Sequence, residues 1–487
     1  MSRSTTTQTK PLKRLLAPKW KPHGYQKKAM KFLLEQAAAI ALLDPGLGKT
    51  SITLACFDTV RTTEKRDRML VIAPLRVCYQ VWPAEVVGWK DFQHLRVGIL
   101  HGKRKDVVLA NYEEYDILVI NPEGLDWLVG KHDMRVLRQI FGGQVLAVDE
   151  LTRFKNSQGK RFKLLKKVLG LFGRRWGLTG TPAPNGLLDL FGQCYVIDEG
   201  KALGRYITHY KREYFRPLDP NGCKWALQPG AAQRIYDAIK PLAIRMSARD
   251  YLELPERVDL KHFIELPPKI WELYEALEDD LVAKYGDGLI VAGNAAAAST
   301  KCRQICNGAL YVDDDVASLV RGRKRTVMEL HDLKLDAVAE LVEDLQGQPL
   351  LLGYEFNHDL DRLVKRFDMP YIGKGVSAKE AARIERLWNE GSIPLLAAPP
   401  ASAGHGLNLQ KSHAQHVGWF GVPWDAELYW QFIMRVLRQG NKSKRVFNHH
   451  FIAKNTVDEI AFYDKTRKEN RQDRLFEALT ELRRRRK

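Results

Sequence analysis

Long apolar runs are scarce in this chain of 487 residues. "AAAIALL", Ala37 to Leu43, is among the longest and stops at Asp44, far short of the roughly 20 residues that a membrane-spanning helix requires. The opening stretch "MSRSTTTQTKPLKR" lacks the apolar core of a secretion signal and reads as a flexible basic lead-in over residues 1–18. Cysteine is sparse too. Six in the whole chain make no disulfide framework. Cys302 and Cys306 stand as CxxxC without a second pair at metal-ligand spacing, which fits buried helix neighbours. His413, His416, His449 and His450 fit ordinary structural histidines in the same way. These gaps point to a reducing compartment, the cytoplasm, or the host cytoplasm for a viral chain. Acidic residues are the remaining shortage: 58 Asp and Glu stand against 77 Lys and Arg, a formal +19. That surplus favours a polyanionic partner, nucleic acid above all. A membrane surface fits worse, because the basic residues are spread along the chain and no strongly amphipathic anchor stands out.

What is present is a rhythm. Hydrophobic content of 45% with 28% charged residues suits a globular protein, and the length suits roughly three domains. Over residues 19–200, short apolar runs alternate with helical patterns. "MLVIAP" (Met69 to Pro74), "DILVIN" (Asp116 to Asn121), "VLAVDE" (Val145 to Glu150) and "RWGLTGTP" (Arg175 to Pro182) read as strands. The alternation predicts an α/β lobe, a parallel sheet with helices on both faces, whose chemistry belongs at the carboxyl ends of the strands. Over 201–330 the rhythm fades into helical spacing, which predicts a mostly helical insertion. It returns over 331–470 with "PLLLGY", "PLLAAP", "HVGWFG" and "FNHHFIA", a second α/β lobe. Thr456 and Glu459 form a capping box for a final helix, and 471–487 is a basic tail. No internal repeat of solenoid period is present.

The turn "DPGLGKTS", Asp44 to Ser51, lies between the apolar run Ile40 to Leu43 and a helical pattern. Gly46 and Gly48 let backbone amides close around phosphate oxygens, with Asp44, Leu47 and Ser51 in the same cradle. Lys49 would reach the β and γ phosphates, and Thr50 would offer its hydroxyl to Mg²⁺. One position departs from the usual loop: five before Gly48 stands Leu43, not glycine. Further on, "VLAVDE" sets two carboxylates side by side at a strand end. Asp149 would hold Mg²⁺, and Glu150 would orient and polarise an attacking water. In the second lobe "QFIMRVLRQG" carries Gln431, Arg435 and Arg438. The arginines lie three apart, on one helical face, where they suit a transition state with charge spread over phosphate oxygens. Loop and arginines fall in different lobes, so hydrolysis would require closure of a cleft, and closure can be converted into motion.

In their order and spacing, "DPGLGKT", "DELTRFKN", "LTGTPAPN", "SAGHGLNL" and "QFIMRVLRQG" resemble the motifs of helicase superfamily II. Within it the chain looks like the Swi/Snf-type DNA translocases, in the compact form found in bacteriophages and bacteria, over residues 20–470. Asp-Glu-Leu-Thr, "LTGTP" and QxxxRxxRxG separate it from the DEAD-box RNA helicases. The resemblance implies two RecA-like parallel-sheet lobes of a P-loop NTPase, using ATP and Mg²⁺, that track along one strand of duplex DNA without processive strand separation. By residue matching, Gln26 of "HGYQKKAMKFL" would recognise adenine. Pro74 belongs to the segment resembling motif Ia, and Asn121 of "NPEGL" to one that touches the nucleic-acid backbone. Thr179, Gly180 and Thr181 would couple the nucleotide to the lobe interface. Gly404, Gly406 and Asn408 would do so from lobe two, with Gly406 against the nucleotide itself and Gln431 among the coupling residues. The stretch Arg245 to Glu256 and "CRQICNG" resemble the family's linking region. Asn441 and "PWDAELYWQ" depart from its wording and bear on fine nucleic-acid contacts.

The expectation is an ATP-dependent motor on double-stranded or branched DNA, serving replication, recombination or repair, with a replication or recombination protein as a further partner. A strand-separating DNA or RNA helicase is the first alternative. A nucleotide-gated DNA-binding scaffold that recruits a nuclease or polymerase is the second. Residues 103–105, 321–325 and 483–487 are basic clusters that offer extra phosphate contacts. Trp82 and Trp89 have a spacing that suits a packed helix face better than base stacking.

Overall fold

The computed structural model describes residues 17–466 apart from 181–182, 184–185, 219–224, 253, 287–291, 313–325, 374, 404–406, 408, 411, 413, 439–440 and 442. Two compact units divide the chain after Leu252. In the first, β1 (Ala38–Leu43), β2 (Met69–Ile72), β3 (Val97–Ile99), β4 (Ile117–Ile120), β5 (Val145–Asp149) and β6 (Arg174–Thr179) enter one sheet. A short antiparallel ribbon of β7 (Phe215–Pro217) and β8 (Trp225–Leu227) follows, and β9 (Ala243–Met246) then completes the sheet. The order is β3-β4-β2-β5-β6-β1-β9, and every pairing in it is parallel. Every residue of β2 and β4 is buried, so both faces of the sheet are covered. That is why these strands read as unbroken apolar runs rather than as alternation. Because the strands are parallel, one edge of the sheet receives the ends of β1, β2, β4, β5 and β6. Those ends deliver the phosphate-loop turn, Pro74, Asn121, Asp149 with Glu150, and Thr179 with Gly180.

The second unit is also α/β. β10 (Glu256–Ile264) is followed by an antiparallel ribbon of β11 (Ala309–Val312) and β12 (Thr326–Glu329), then by β13 (Leu350–Gly353), β14 (Leu395–Ala398), β15 (His416–Trp419) and β16 (Arg445–Ala453). Its sheet runs β10-β16-β15-β13-β14, again wholly parallel. Among the described residues of 201–330 helices predominate, and each sheet also draws a strand from them: β9 flanks β1, and β10 pairs with β16 along its whole length. Both are edge strands with half-exposed positions. Charged residues such as Arg245, Asp259 and Lys261 therefore interrupt the apolar run that marks the inner strands. Helical spacing does hold for Pro268–Gly286 and Ala292–Asn307, and Cys302 and Cys306 are buried on the latter. Thr456 caps the helix Val457–Thr466, its hydroxyl accepting from the Asp458 amide at 3.2 Å. No helix among the described residues is long and apolar enough to cross a membrane.

Buried polar groups knit the second unit. Lys334 Nζ donates to Asp458 Oδ2 at 2.6 Å, to Asn307 Oδ1 at 2.8 Å and to the Phe420 carbonyl at 3.0 Å, so a charge removed from water keeps three acceptors. Across the sheet, His416, His449 and His262 form a ladder. Gln348 Oε1 accepts from His416 Nε2 at 3.2 Å, which fixes His416 Nδ1 as the acceptor for His449 Nε2 at 3.0 Å. His449 Nδ1 in turn accepts from His262 Nε2 at 2.9 Å. His416 and His449 are neutral in this arrangement, because a proton added to the accepting Nδ1 of either would set donor against donor. Burial first, and then the neighbouring rings, hold His449 down at about 3; burial lowers His262 and His416 as well.

A pH dependence follows. The unfolded chain takes up protons on these rings near the ordinary histidine value, 6.5, while burial in the folded chain lowers all three, His449 to about 3. Stability from this ladder is therefore complete above 6.5 and is lost as pH falls from there towards 3, on the order of 4 kcal/mol for His449 alone. Denaturant unfolding between pH 7.5 and 4 should show it. His449→Gln, which titrates no proton, should flatten the slope by up to one proton per chain. An unchanged slope would assign the acid sensitivity elsewhere.

Candidate nucleotide site

The turn after β1 has the backbone of an anion cradle. Gly46 and Gly48 adopt φ of 93° and 79°, in the left-handed region, and Gly48 opens the helix Lys49–Glu64. At Gly48 a side chain is excluded twice, since a Cβ there would come within 2.5 Å of Gln26 Nε2. Leu43, at the usual glycine position, is the buried last residue of β1, and positive φ in this stretch is confined to Gly46 and Gly48. No glycine is needed there. Its carbonyl has another use: it accepts from Lys49 Nζ at 3.0 Å. Gln26 braces the loop from the helix Gly24–Glu35. Its Oε1 accepts from the His23 amide at 2.9 Å and its Nε2 donates to the Leu47 carbonyl at 3.2 Å. Ser51 Oγ bonds the Gly48 carbonyl at 3.1 Å, and Thr50 sits half-buried in the first helical turn.

Lys49 is where the neighbouring strand ends converge. A Cβ on Gly180, just past β6, would lie 3.1 Å from Pro45 Cδ, 3.3 Å from the Leu43 carbonyl and 3.6 Å from Lys49 Nζ. Glycine there lets the "LTG" turn press against the loop, with Thr179 buried beside it. Asp149 ends β5 and is buried. Its Oδ2 accepts from Trp82 Nε1 at 3.2 Å and its Oδ1 from the Glu150 amide at 3.1 Å. Burial, and next the charge of Glu150, push the Asp149 carboxyl up to about 6, although Lys49 and the two hydrogen bonds pull it down. With one donor on each oxygen, the buried Asp149 carboxylate keeps further lone pairs beside the phosphate loop, which is oxygen chemistry that suits a divalent cation. Glu150 follows with φ 57°, a left-handed backbone rare for glutamate.

Other residues named from the sequence have their own partners. Asp44 Oδ2 accepts from Ser247 Oγ at 3.2 Å and from the Ala248 amide at 3.0 Å, which ties the start of the loop to the segment after β9. Pro74 is buried ahead of the helix Leu75–Gly88, and Asn121 Nδ2 donates to Glu123 Oε2 at 2.8 Å. In the second unit, Gln431 is buried on the helix Ala426–Ile433 and donates to Glu427 Oε1 at 2.9 Å. That helix stops before the arginines. Arg435 and Val436 bond back three residues, to Phe432 and Ile433, so Arg435 and Arg438 occupy the turn that follows and not a helical face. Buried Val436 and Leu437 anchor the turn, and Arg435 Nη1 donates to the Leu407 carbonyl at 3.0 Å. Thr181, Gly404, Gly406, Asn408, His413 and the basic clusters 321–325 and 483–487 lie outside the described residues.

Two residues at the site escape sequence reasoning. Trp82 lies in an apolar helical run that signals packing alone, and Ser247 lies in the stretch that resembles a linking region, where nothing marks it as a partner of the loop. Their partners stand far away in sequence, so no local spacing could have announced either contact.

A family model described as SNF2-related domain matches residues 25–310, more than half of the chain. The chain belongs to the SNF2-related family. Among its relatives, protein p41 of Acyrthosiphon pisum secondary endosymbiont phage 1 is 34% identical over 472 residues, which cover 94% of this chain and 98% of that one. YwqA of Bacillus subtilis (strain 168), named for an ATP-dependent helicase/translocase, is 27% identical over 457 residues, 89% of this chain and 46% of its own. The Arabidopsis thaliana CHD3-type chromatin-remodeling factor PICKLE is 24% identical over 493 residues, 90% of this chain and 33% of its own. The chain thus spans less than half the length of these last two. Among solved structures, the SWI2/SNF2 ATPase core of Sulfolobus solfataricus in complex with dsDNA aligns over 92% of each chain, with 23% identity and a TM-score of 0.43. The two parallel-sheet units are the RecA-like lobes of an SNF2-related, superfamily II protein, and hydrolysis of ATP is the activity that membership carries.

Proposed function

We propose that the protein is an ATP-driven motor that moves along double-stranded DNA. The observation that supports this most is the convergence of the Lys49 loop, Asp149, Glu150 and the Gly180 turn on one sheet edge of an SNF2-related chain. Lys49 binds the β and γ phosphates in exchange for the Leu43 carbonyl, and the amides of the glycine turn take the remaining phosphate oxygens. Thr50 and Asp149 would hold Mg²⁺, which neutralises phosphate charge when bound. Glu150 orients the attacking water, Gln26 reads the adenine edge, and Arg435 and Arg438 meet the charge that builds up on the transferred phosphoryl group. Thr179 and Gly180, in contact with the loop, pass the state of the nucleotide to the DNA-bound surfaces. The net charge of +19 supports a phosphate-rich track, and the Bacillus relative is itself named for translocation.

The test is ATP turnover measured alone and with duplex, single-stranded and forked DNA and with RNA, Lys49→Ala serving as the inactive control. Duplex DNA should stimulate most, and the stimulation should weaken steeply with salt. Equal rates with and without duplex would refute the motor. In parallel, displacement of a third strand from a triplex without separation of the duplex is expected; separation of the duplex would make the protein a helicase instead.

A further inference from the structure

Trp82 is wholly buried, and its indole N–H must find an acceptor inside the protein. Three other tryptophans are as deeply buried among the described residues. Trp176 and Trp388 donate to backbone carbonyls, of Leu33 and Leu409, and Trp419 to the side-chain amide of Asn448. Trp82 alone of these four donates to a carboxylate, and it is that of Asp149, at 3.2 Å. The other oxygen of Asp149 accepts from the Glu150 amide at 3.1 Å. Two donors on two different oxygens, one from the helix Leu75–Gly88 and one from the turn after β5, fix the plane of the carboxyl group. A carboxylate offers about four lone-pair directions, so two stay open, and both are fixed in space.

We propose that Trp82 is a positioning residue: its indole N–H holds the Asp149 carboxylate in the orientation that presents its open lone pairs to a divalent cation beside the phosphate loop. The inference rests on the reading of Asp149 as a cation ligand. Outer partners of this kind orient a ligand without touching the ion, and losing one typically weakens metal affinity about 10–100-fold. Packing alone would ask only for a ring of the right size. The hydrogen bond asks in addition for a donor at one point of that ring, so the two demands can be separated.

The experiment uses the full chain with ADP bound, and Mn²⁺ as a spin probe of the cation site, titrated by electron paramagnetic resonance. In one variant Trp82 is replaced by 3-benzothienylalanine, which keeps the fused-ring shape and puts sulfur in place of N–H. Trp82→Phe is the second variant, Asp149→Asn the ligand control and Val86→Ala a packing control on the same helix. Both Trp82 variants should weaken Mn²⁺ binding about tenfold and raise the Mg²⁺ concentration for half-maximal turnover in step. ADP binding in excess chelator should stay within about twofold of the parent, since the carboxylate then has no ion to orient. Parental Mn²⁺ affinity in the benzothienyl variant, with Asp149→Asn impaired, would reduce Trp82 to packing. An equal loss in Val86→Ala would do the same. Parental affinity in Asp149→Asn would instead remove the ligand reading itself, and this inference with it.

Discussion

Arg435→Ala and Arg438→Ala should each slow single-turnover ATP hydrolysis by about 10³-fold or more, while nucleotide affinity changes far less. The size comes from what a guanidinium does for phosphoryl transfer: it meets charge that exists in the transition state and only weakly in bound ATP, an effect worth roughly 10³–10⁵ in rate. The local structure bears on how to read the result. Both arginines sit in the turn after Ile433, and the backbone there is pinned by buried Val436 and Leu437, so shortening the side chains leaves the turn itself in place. Arg435 also donates to the Leu407 carbonyl, so its alanine variant loosens a second segment. Arg435→Lys separates the two roles. It keeps the charge and loses the planar fork, and it should recover little of the rate if the fork is what the transition state meets. Full activity in the double variant would take both residues out of the chemistry.

Glu150→Gln should lower turnover by about 10²–10⁴-fold, the range for a positioned general base, and should leave ATP bound and unhydrolysed on the protein. Its stability should not fall. Glu150 adopts φ 57°, and glutamine keeps that conformation at the same cost, so nothing is lost in the backbone. Removing the charge also relieves Asp149, which burial and Glu150 together hold near 6. Above pH 6 the ionised Asp149 opposes folding, because its folded-state value lies above the ordinary carboxylate range; with Glu150 neutral, that opposition shrinks. The variant should therefore unfold at the same temperature as the parent or higher at pH 7.5. A large drop in the unfolding temperature would mean that activity was lost through the fold and not through the base. Glutamate in a left-handed conformation next to a buried carboxylate is poor chemistry for stability, and its presence is intelligible as a device for aiming one side chain.

The inner strands and the loop glycines were legible because their constraints are local. A strand buried on both faces must be apolar at every position, as "ILVI" of β4 is, and a turn with positive φ favours glycine. β9 and β10 were not legible, because an edge strand tolerates Arg245 or Lys261 and then resembles the helices around it. The end of the helix at Ile433 was hidden for a different reason: "MRVLR" carries residues that favour helix, and the bonds that tighten the turn leave no mark in composition. The pairing of Trp82 with Asp149, and of Asp44 with Ser247, joins residues far apart in sequence. Such contacts are written in the fold, and one sequence holds no trace of them.

The bond from Lys49 to the Leu43 carbonyl has a consequence for what the loop will admit. The ammonium group is already engaged, so a visitor must offer a better acceptor before the side chain will swing across. Adenosine and adenosine monophosphate have no oxygen far enough along the phosphate chain to make that offer. On the proposed reading the resting lysine would act as a threshold that adenosine and adenosine monophosphate fail to cross and that a nucleotide with a β phosphate crosses.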